Sequence, residues 1–478
     1  MEKKSLAKNA VYNVLYKLLN VIFPLISVTY IARVLLPSGV GRVSYVQNIV
    51  SYFTMLAALG IPTYGIREIA KCKNDAKRTN KIFSELLIIN AFSTFLCLIS
   101  YMILVFNSLS SNLSLYLVCG LQIIFNFINI DWFYQGKEDY GYIAIRSSII
   151  KLLSLICLFI FVKKQTDYVI YALIIVLATG GNYVFNIIHS RKYVKFTVHN
   201  LEFKHHLQPI FYLVICVIAA ELYSKVDITM LGISCNDNVV GYYANAQKLI
   251  NLVITLTTAI SIIFLPRISY YFESNRKRFN EYVNIGFKIL ILIALPTYVG
   301  LTIISNNITI VLFGESFSPA AETIRILALL ILIKSFGDLL CYQVIISSGN
   351  EKKLLISYIL AAATNIFLNF LLIPIFNQNG AALASVASEF ILNITLFFRI
   401  SKRIIDLNVN KNFIISVLMS TLVMGLFIYF LQTIVSNNFL CLILQISIGF
   451  LIFIFSNICL KNELIYFFLK KIKTRLSR

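Results

Sequence analysis

Charge is what this chain has least of. Only 13% of its 478 residues are Asp, Glu, Lys or Arg, while 59% are hydrophobic and mean hydropathy is +0.81. A soluble domain carries roughly 25% charged residues. The shortfall excludes the soluble classes, and with them dinucleotide-binding, zinc-finger and helix-turn-helix readings. No glycine-rich phosphate loop occurs, and no Ser-His-Asp or Cys-His set falls at membrane depth. No CxxC pair occurs either. The nine cysteines are scattered singly, most within apolar runs, as small core residues or free thiols. No A-x-A cleavage site follows the N-terminal MEKKSLAKN. The apolar run from Ala10 to Leu36 is too long for a signal segment and contains Lys17, so it reads as a retained first transmembrane helix. No outer connection is long enough for a folded domain: CNDN near 235–238, NQNG near 377–380 and SNN near 436–438 are short turns.

What is present is apolar sequence of bilayer length. About 20 apolar residues cross the roughly 30 Å hydrocarbon core. Runs of that kind lie near 11–35, 40–62, 82–106, 113–135, 142–162, 168–188, 208–232, 239–265, 284–305, 322–346, 354–376, 380–400, 412–433 and 438–460. The expected fold is an all-α polytopic membrane protein of about fourteen transmembrane helices. With the N-terminus inside, the inner connections hold 31 Lys and Arg and the outer ones only four: Arg33, Arg42, Lys163 and Lys164. By the positive-inside rule both termini are expected in the cytoplasm, and the net charge of +21 reflects this asymmetry rather than nucleic-acid binding. The basic stretch YYFESNRKRFNEYVN is expected as an interfacial helix. His189, His199, His205 and His206, in or beside 189–207, read by default as solvated loop residues; a metal site stays open as the alternative, without support from ligand spacing.

Some charges lie inside the runs. Phe211–Gly232 carries Glu221, Lys225 and Asp227. An ionisable group at that depth is costly unless it faces a bundle interior or a wet cavity. Glu221 and Lys225, four apart, share a face and can pair, while Asp227 points elsewhere. Lys334 and Asp338 are likewise four apart. Lys288 and Arg325 lie near helix ends, where they can snorkel. Lys17, Lys151, Lys225, Lys248 and Lys334 lie too deep for that, against deep carboxylates Glu221, Asp227, Asp338 and Glu389. Each couple reads either as a neutralised structural pair or as part of a cavity lining. The cationic excess favours an anion over a cation.

An offset of 200 residues aligns Thr29 with Thr229, Val40 with Val240, Gly41 with Gly241 and Gln47 with Gln247. A duplication of six helices gives parallel repeats about an axis along the membrane normal. The expected division is 1–200 and 201–405 as six-helix lobes around a central cavity, with 406–478 as two added helices and a basic tail.

Several stretches together resemble a known family. ARVLLPSGVGRVSYVQNIVSYF and LGIPTYGIREIA resemble the opening signature of the polysaccharide-transporter branch of the MOP (MATE-like) superfamily. DWFYQGKEDYGYIAIRSSIIKLLSL at 131–155 is similar to the helix 4–5 junction of Wzx-type flippases. KVDITMLG with VVGYYANAQKLI resembles the helix 7–8 signature. The resemblance implies a flippase of the bacterial inner membrane that turns over undecaprenyl-diphosphate-linked oligosaccharide units for O antigen or capsule. It implies alternating access, H+ or Na+ as a coupling ion, and polymerase and chain-length proteins as partners. No cofactor and no catalysis are expected. Asp227 and Arg33 match the family's motif residues. Lys17, Lys151, Lys225, Lys248, Lys334 and Arg33 are the expected substrate-binding residues, and Asp227, Glu221, Asp338 and Glu389 the expected ion-coupling ones. A lipid II flippase, a MATE-type exporter and a membrane polysaccharide polymerase stay open as alternatives. The first would share the pyrophosphate chemistry, the second calls for a more acidic cavity, and the third usually carries a large outer loop.

The asymmetry of basic residues sets a labelling pattern. In a background cleared of native cysteines, single cysteines at Asn236 and Gln378 should react with an impermeant reagent from outside, and those at Asn74 and Asn275 should not. The reverse pattern would overturn the orientation.

Overall fold

The computed structural model describes residues 6–72, 75–108, 112–258, 268–272, 274–346, 354–399 and 404–466; within them, nothing is said of the side chains of 6–21, 212, 216, 219, 220, 222, 342, 343, 346 and 399. The secondary structure of the described residues is helical throughout. In hydrocarbon the backbone must satisfy its own hydrogen bonds, and a helix does so within one segment. The chain runs through α1 (Leu6–Ala58), α2 (Ile61–Lys71), α3 (Ala76–Ser108), α4 (Leu113–Asn126), α5 (Asp131–Gly136), α6 (Tyr140–Phe161), α7 (Tyr168–Ser190), α8 (Lys204–Ser234) and α9 (Asp237–Thr258). Then follow α10 (Arg276–Phe313), α11 (Ala320–Asp338), a π-helical stretch (Leu339–Ile346), α12 (Leu354–Arg399), α13 (Lys411–Ile434) and α14 (Asn438–Cys459). Among the described residues, nine helical stretches are long and apolar enough to cross a membrane.

Two of the long helices are broken, and each break divides two of the expected runs. In α1 the break is at Leu36, with φ 59°. Pro37 follows, and its ring disfavours helical geometry at the residue before it. In α12 the break is at Asn377, with φ 49° and ψ −126°, outside both helical regions of backbone geometry. Leu36 lies 200 residues before Asn236, between α8 and α9, so these two breaks share the frame of the sequence repeat.

Two expectations are corrected. The run 113–135 is not one helix: α4 stops at Asn126 and α5 begins at Asp131. The Asn90 amide donates to the carbonyls of Asn126 at 2.7 Å and Phe127 at 3.2 Å, supplying partners that the broken helix no longer provides. The stretch YYFESNRKRFNEYVN is not one interfacial helix either. Asn275 interrupts it and caps α10, its side chain accepting the Arg278 amide at 3.0 Å.

The chain forms two compact units, Met1–Gly232 and Ile233–Arg478. In the first unit, α2 and α5 meet in a core of Ile61, Tyr64, Ile69, Trp132, Phe133 and Tyr134, with Phe83 and Leu86 from α3. A β-carbon at Gly65 would stand 2.5 Å from the Trp132 ring, so glycine is what lets these two helices close. In the second unit, Asn307 donates to Gln445 at 3.2 Å and Gln445 to the Ile428 carbonyl at 3.1 Å. Lys288 and Arg325 are not merely snorkelling: Lys288 pairs with Glu463, and Arg325 donates to the Ser305 hydroxyl at 2.8 Å.

The outward faces are apolar, and buried polar residues stand among the apolar ones of the interior. On α3, Phe92, Ile99, Ile103 and Phe106 are exposed, whereas Glu85, Asn90, Ser93 and Thr94 are buried. α14 likewise exposes Phe439, Ile443, Ile446, Phe450 and Phe455 while burying Gln445 and Asn457. A water-soluble bundle has the opposite arrangement. The protein is an all-α polytopic membrane protein.

Candidate functional site

Inside the first unit lies a cavity of about 310 Å³. Its wall is built from the end of α1 (Ser51, Thr54, Met55, Ala58), Gly60, Pro62 and Thr63 at the start of α2, and Gln122 and Asn126 of α4. Asn129, Tyr183 of α7, and Val217, Glu221 and Lys225 of α8 complete it. Amides and hydroxyls dominate the polar part of this lining, and among the described residues Glu221 and Lys225 are its only charged members. Lys225 Nζ stands 2.6 Å from Glu221 Oε2, the pairing across one helical turn that the spacing anticipates. Both partners remain about one-third exposed, at 30% and 36%. They therefore keep access to the solvent of the cavity.

α8 is held to α1 by a polar seam. Asn48 donates to the Thr229 hydroxyl at 2.7 Å and to the Lys225 carbonyl at 3.1 Å, and Tyr52 shares a hydrogen bond with Thr229 at 3.0 Å. A β-carbon at Gly232 would stand 2.1 Å from the Tyr45 ring, so the seam closes only around glycine. Asp227 is 2% exposed. It is on the same helix as the pair, two residues beyond Lys225, and buried where Glu221 and Lys225 are not.

A second charged cluster was only half legible in the sequence. Arg146, counted there with the inner connections, is buried on α6. It bonds Asp131 Oδ1 at 3.0 Å and also donates to Asn186, whose amide in turn donates to Asp131 at 2.6 Å. The DWFYQG stretch thus supplies both a packing ring, Trp132, and the counter-charge for α6. A third cluster forms where α8 begins. His206, expected in solvent, is fully buried between the Tyr64 hydroxyl at 2.8 Å and Glu85 Oε2 at 2.9 Å. It lies ahead of the apolar run that starts at 208. Burial pushes its imidazole below the usual range, against the Glu85 bond, which acts the other way. Nearby, the Lys81 ammonium beside Glu202 holds that exposed carboxyl below its usual range.

Among the described residues, the other expected ones do not line this cavity. Lys151 is half-buried on α6. Arg33 is exposed on α1. The Lys17 side chain lies outside the described residues. In the second unit, Lys334 pairs with Glu389 at 3.7 Å and not with Asp338, its neighbour in spacing. Asp338 accepts a hydrogen bond from Thr258 instead. Lys248 is half-buried on α9. The structure therefore brings Glu221 and Lys225 together in one unit and Lys334 and Glu389 in the other. Sequence spacing had no signal for Asn126, Asn129, Gln122 and Tyr183, because single uncharged polar residues inside apolar helices are common.

Comparison with known proteins agrees with this architecture. A family model described as polysaccharide biosynthesis protein matches residues 6–272. The protein named "Putative O-antigen transporter" in Escherichia coli (strain K12) is 24% identical over 398 residues, covering 81% of this chain and 94% of its own length. Among solved structures, a lipid II flippase, MurJ, in an inward closed conformation superposes with a TM-score of 0.79 at 18% identity, over 95% of this chain and 99% of that one. An inward-facing multidrug resistance MATE family transporter of the MOP superfamily gives 0.66 at 15% identity, over 80% of this chain and 94% of that one. At these identities the solved structures establish the fold.

Arg146–Asp131 and Lys225–Glu221 differ in the burial of their cations, 6% against 30% exposed, and their loss should differ accordingly. Arg146→Ala removes a buried cation and leaves the fully buried Asn186 amide without that donor, while Asp131, 34% exposed, takes up water; the loss is about 1–3 kcal/mol. Lys225→Ala removes half of a part-exposed pair, worth about 0–1 kcal/mol. Thermal unfolding of the purified variants in detergent should show a large drop for the first and little for the second.

Proposed function

The chain belongs to the polysaccharide biosynthesis protein family, and on that premise we propose that it is a polysaccharide-precursor flippase whose substrate is an oligosaccharide carried on undecaprenyl diphosphate. The observation that carries this reading is the cavity of the first unit: a lining of amides and hydroxyls with one part-exposed Lys–Glu pair, inside a shell that faces lipid. Amides and hydroxyls offer both donors and acceptors, which is what a hydroxyl-covered sugar needs when it leaves water. A diphosphate entering a low-dielectric region needs cations as well. Two unit charges at 4 Å attract by about 4 kcal/mol at an effective dielectric of 20.

In this reading Lys225 is the cation at the cavity wall, and Lys17, Lys151, Lys248, Lys334 and Arg33 serve the diphosphate at other stages of its passage. The lobes 1–200 and 201–405 alternate access, with 406–478 added to them, both termini in the cytoplasm and the protein in the bacterial inner membrane. Asp227, buried on the same helix as Lys225, is the coupling carboxylate for H+ or Na+, and Glu221, Asp338 and Glu389 are the carboxylates that balance the lysines. The polymer is O antigen or capsule, completed outside by polymerase and chain-length proteins. The protein performs no catalysis.

The test is surface polysaccharide in a host whose own flippase gene is replaced by variants of this one. Lys225→Ala should lose most of the polymer and Lys225→Arg should keep part, at equal protein levels in the membrane. Asp227→Asn should lose the response of the polymer yield to pH or sodium. Wild-type polymer in every lysine variant would place the diphosphate elsewhere, and rescue of cell-wall synthesis instead of the polymer would make the substrate lipid II.

A further inference from the structure

The cluster at the start of α8 does more than pack. Glu85 of α3 and His205 and His206 of α8 bring one carboxylate oxygen and two imidazole nitrogens to within 4.8 Å of one another. Glu85 and His206 are fully buried, whereas His205 is exposed. Donor atoms around one zinc ion, at about 2.0–2.2 Å each, stand up to roughly 4 Å apart. A small closure of His205 therefore completes the set. His206 Nε2 and Glu85 Oε2 are already only 2.9 Å apart, held by a shared proton that an ion could replace.

The surroundings hold these donors in place. The Tyr64 hydroxyl bonds His206 Nδ1 at 2.8 Å, and Glu85 Oε1 accepts the Glu202 amide at 2.5 Å. Once an ion replaces the proton between Nε2 and Glu85, the one N–H of a neutral His206 sits on Nδ1, where it donates to the Tyr64 hydroxyl, and the Nε2 lone pair turns to the ion. The second carboxylate oxygen stays tied to the backbone. Outer hydrogen bonds of this kind fix the tautomer and orientation of metal ligands. Two imidazoles and one carboxylate suit a transition ion such as zinc, since calcium and magnesium take oxygen donors.

We propose that Glu85, His205 and His206 form a zinc site that clamps α3 to the first turn of α8, with water completing the coordination on the exposed side of His205. The clamp would fix the entrance of the helix that carries Glu221 and Lys225 to the cavity. Sequence spacing gave no hint of it, because Glu85 lies 120 residues from His205.

The experiment uses the full chain purified in detergent on a tag without histidine, stripped with a chelator and titrated with zinc chloride against a fluorescent zinc indicator. One zinc per chain should bind saturably and raise the melting temperature, with no competition from magnesium. His205→Ala, an exposed change that leaves the buried bonds intact, and Glu85→Gln should each weaken binding about tenfold or more, by analogy with the 10- to 100-fold losses that follow mutation of groups supporting metal ligands. His199→Ala should bind as wild type. Absence of saturable binding would overturn the proposal, as would equal affinity in the wild type, His205→Ala and Glu85→Gln. Either result would leave the cluster as a hydrogen-bonded clamp and would not touch the reading of the cavity.

Discussion

An ionised side chain in contact with hydrocarbon costs several kcal/mol, and most of this structure follows from keeping that contact from happening. The faces that point outward carry Phe, Leu and Ile, and polar residues such as Glu85, Asn126, Asn186 and Asp227 are buried. Glu221 and Lys225 meet the constraint by pairing with each other and by opening onto a cavity. Arg146 meets it by pairing with Asp131 and Asn186. The first solution leaves a charge within reach of a ligand, and the second removes it from reach. That difference separates a candidate site from a structural brace, although both began in the sequence as basic residues in or near apolar runs.

α8 concentrates the consequences. Its first turn is fastened to α2 and α3 through His206, its middle carries the pair into the cavity, and its last turns are bonded to α1 through Asn48, Tyr52 and Thr229. Gly232 lets it lie against Tyr45. A helix held at both ends, with its charged residues between, presents those charges in a set position. Pre-positioned donors are what a substrate leaving water needs, since reorganising them on arrival would cost binding energy.

The all-α membrane fold was legible in the sequence, because bilayer-length apolar runs are a strong signal. The breaks at Leu36 and Asn377 were legible as the short gaps between runs, with Pro37 a clear local cause. The gap between α4 and α5 was not, since Phe127 and Ile128 are as apolar as the helix before them. Of the site, the Glu221–Lys225 pair could be read from spacing alone. Lys334 could not be assigned correctly, because spacing on one helix says nothing of Glu389 arriving from another. His206 looked solvated for the same reason: Tyr64 and Glu85, which bury it, come from distant parts of the chain.

The central claim is that this chain moves a lipid-linked oligosaccharide through a polar path. The most direct measurement reconstitutes the purified protein in liposomes holding a fluorescent undecaprenyl-diphosphate oligosaccharide. The fraction of label reached over time by an external glycan-cleaving enzyme then reports its passage between leaflets. Passage well above that of protein-free vesicles, and reduced by Lys225→Ala, is the expected result. Label that stays in its leaflet with the protein present in folded form would contradict the claim.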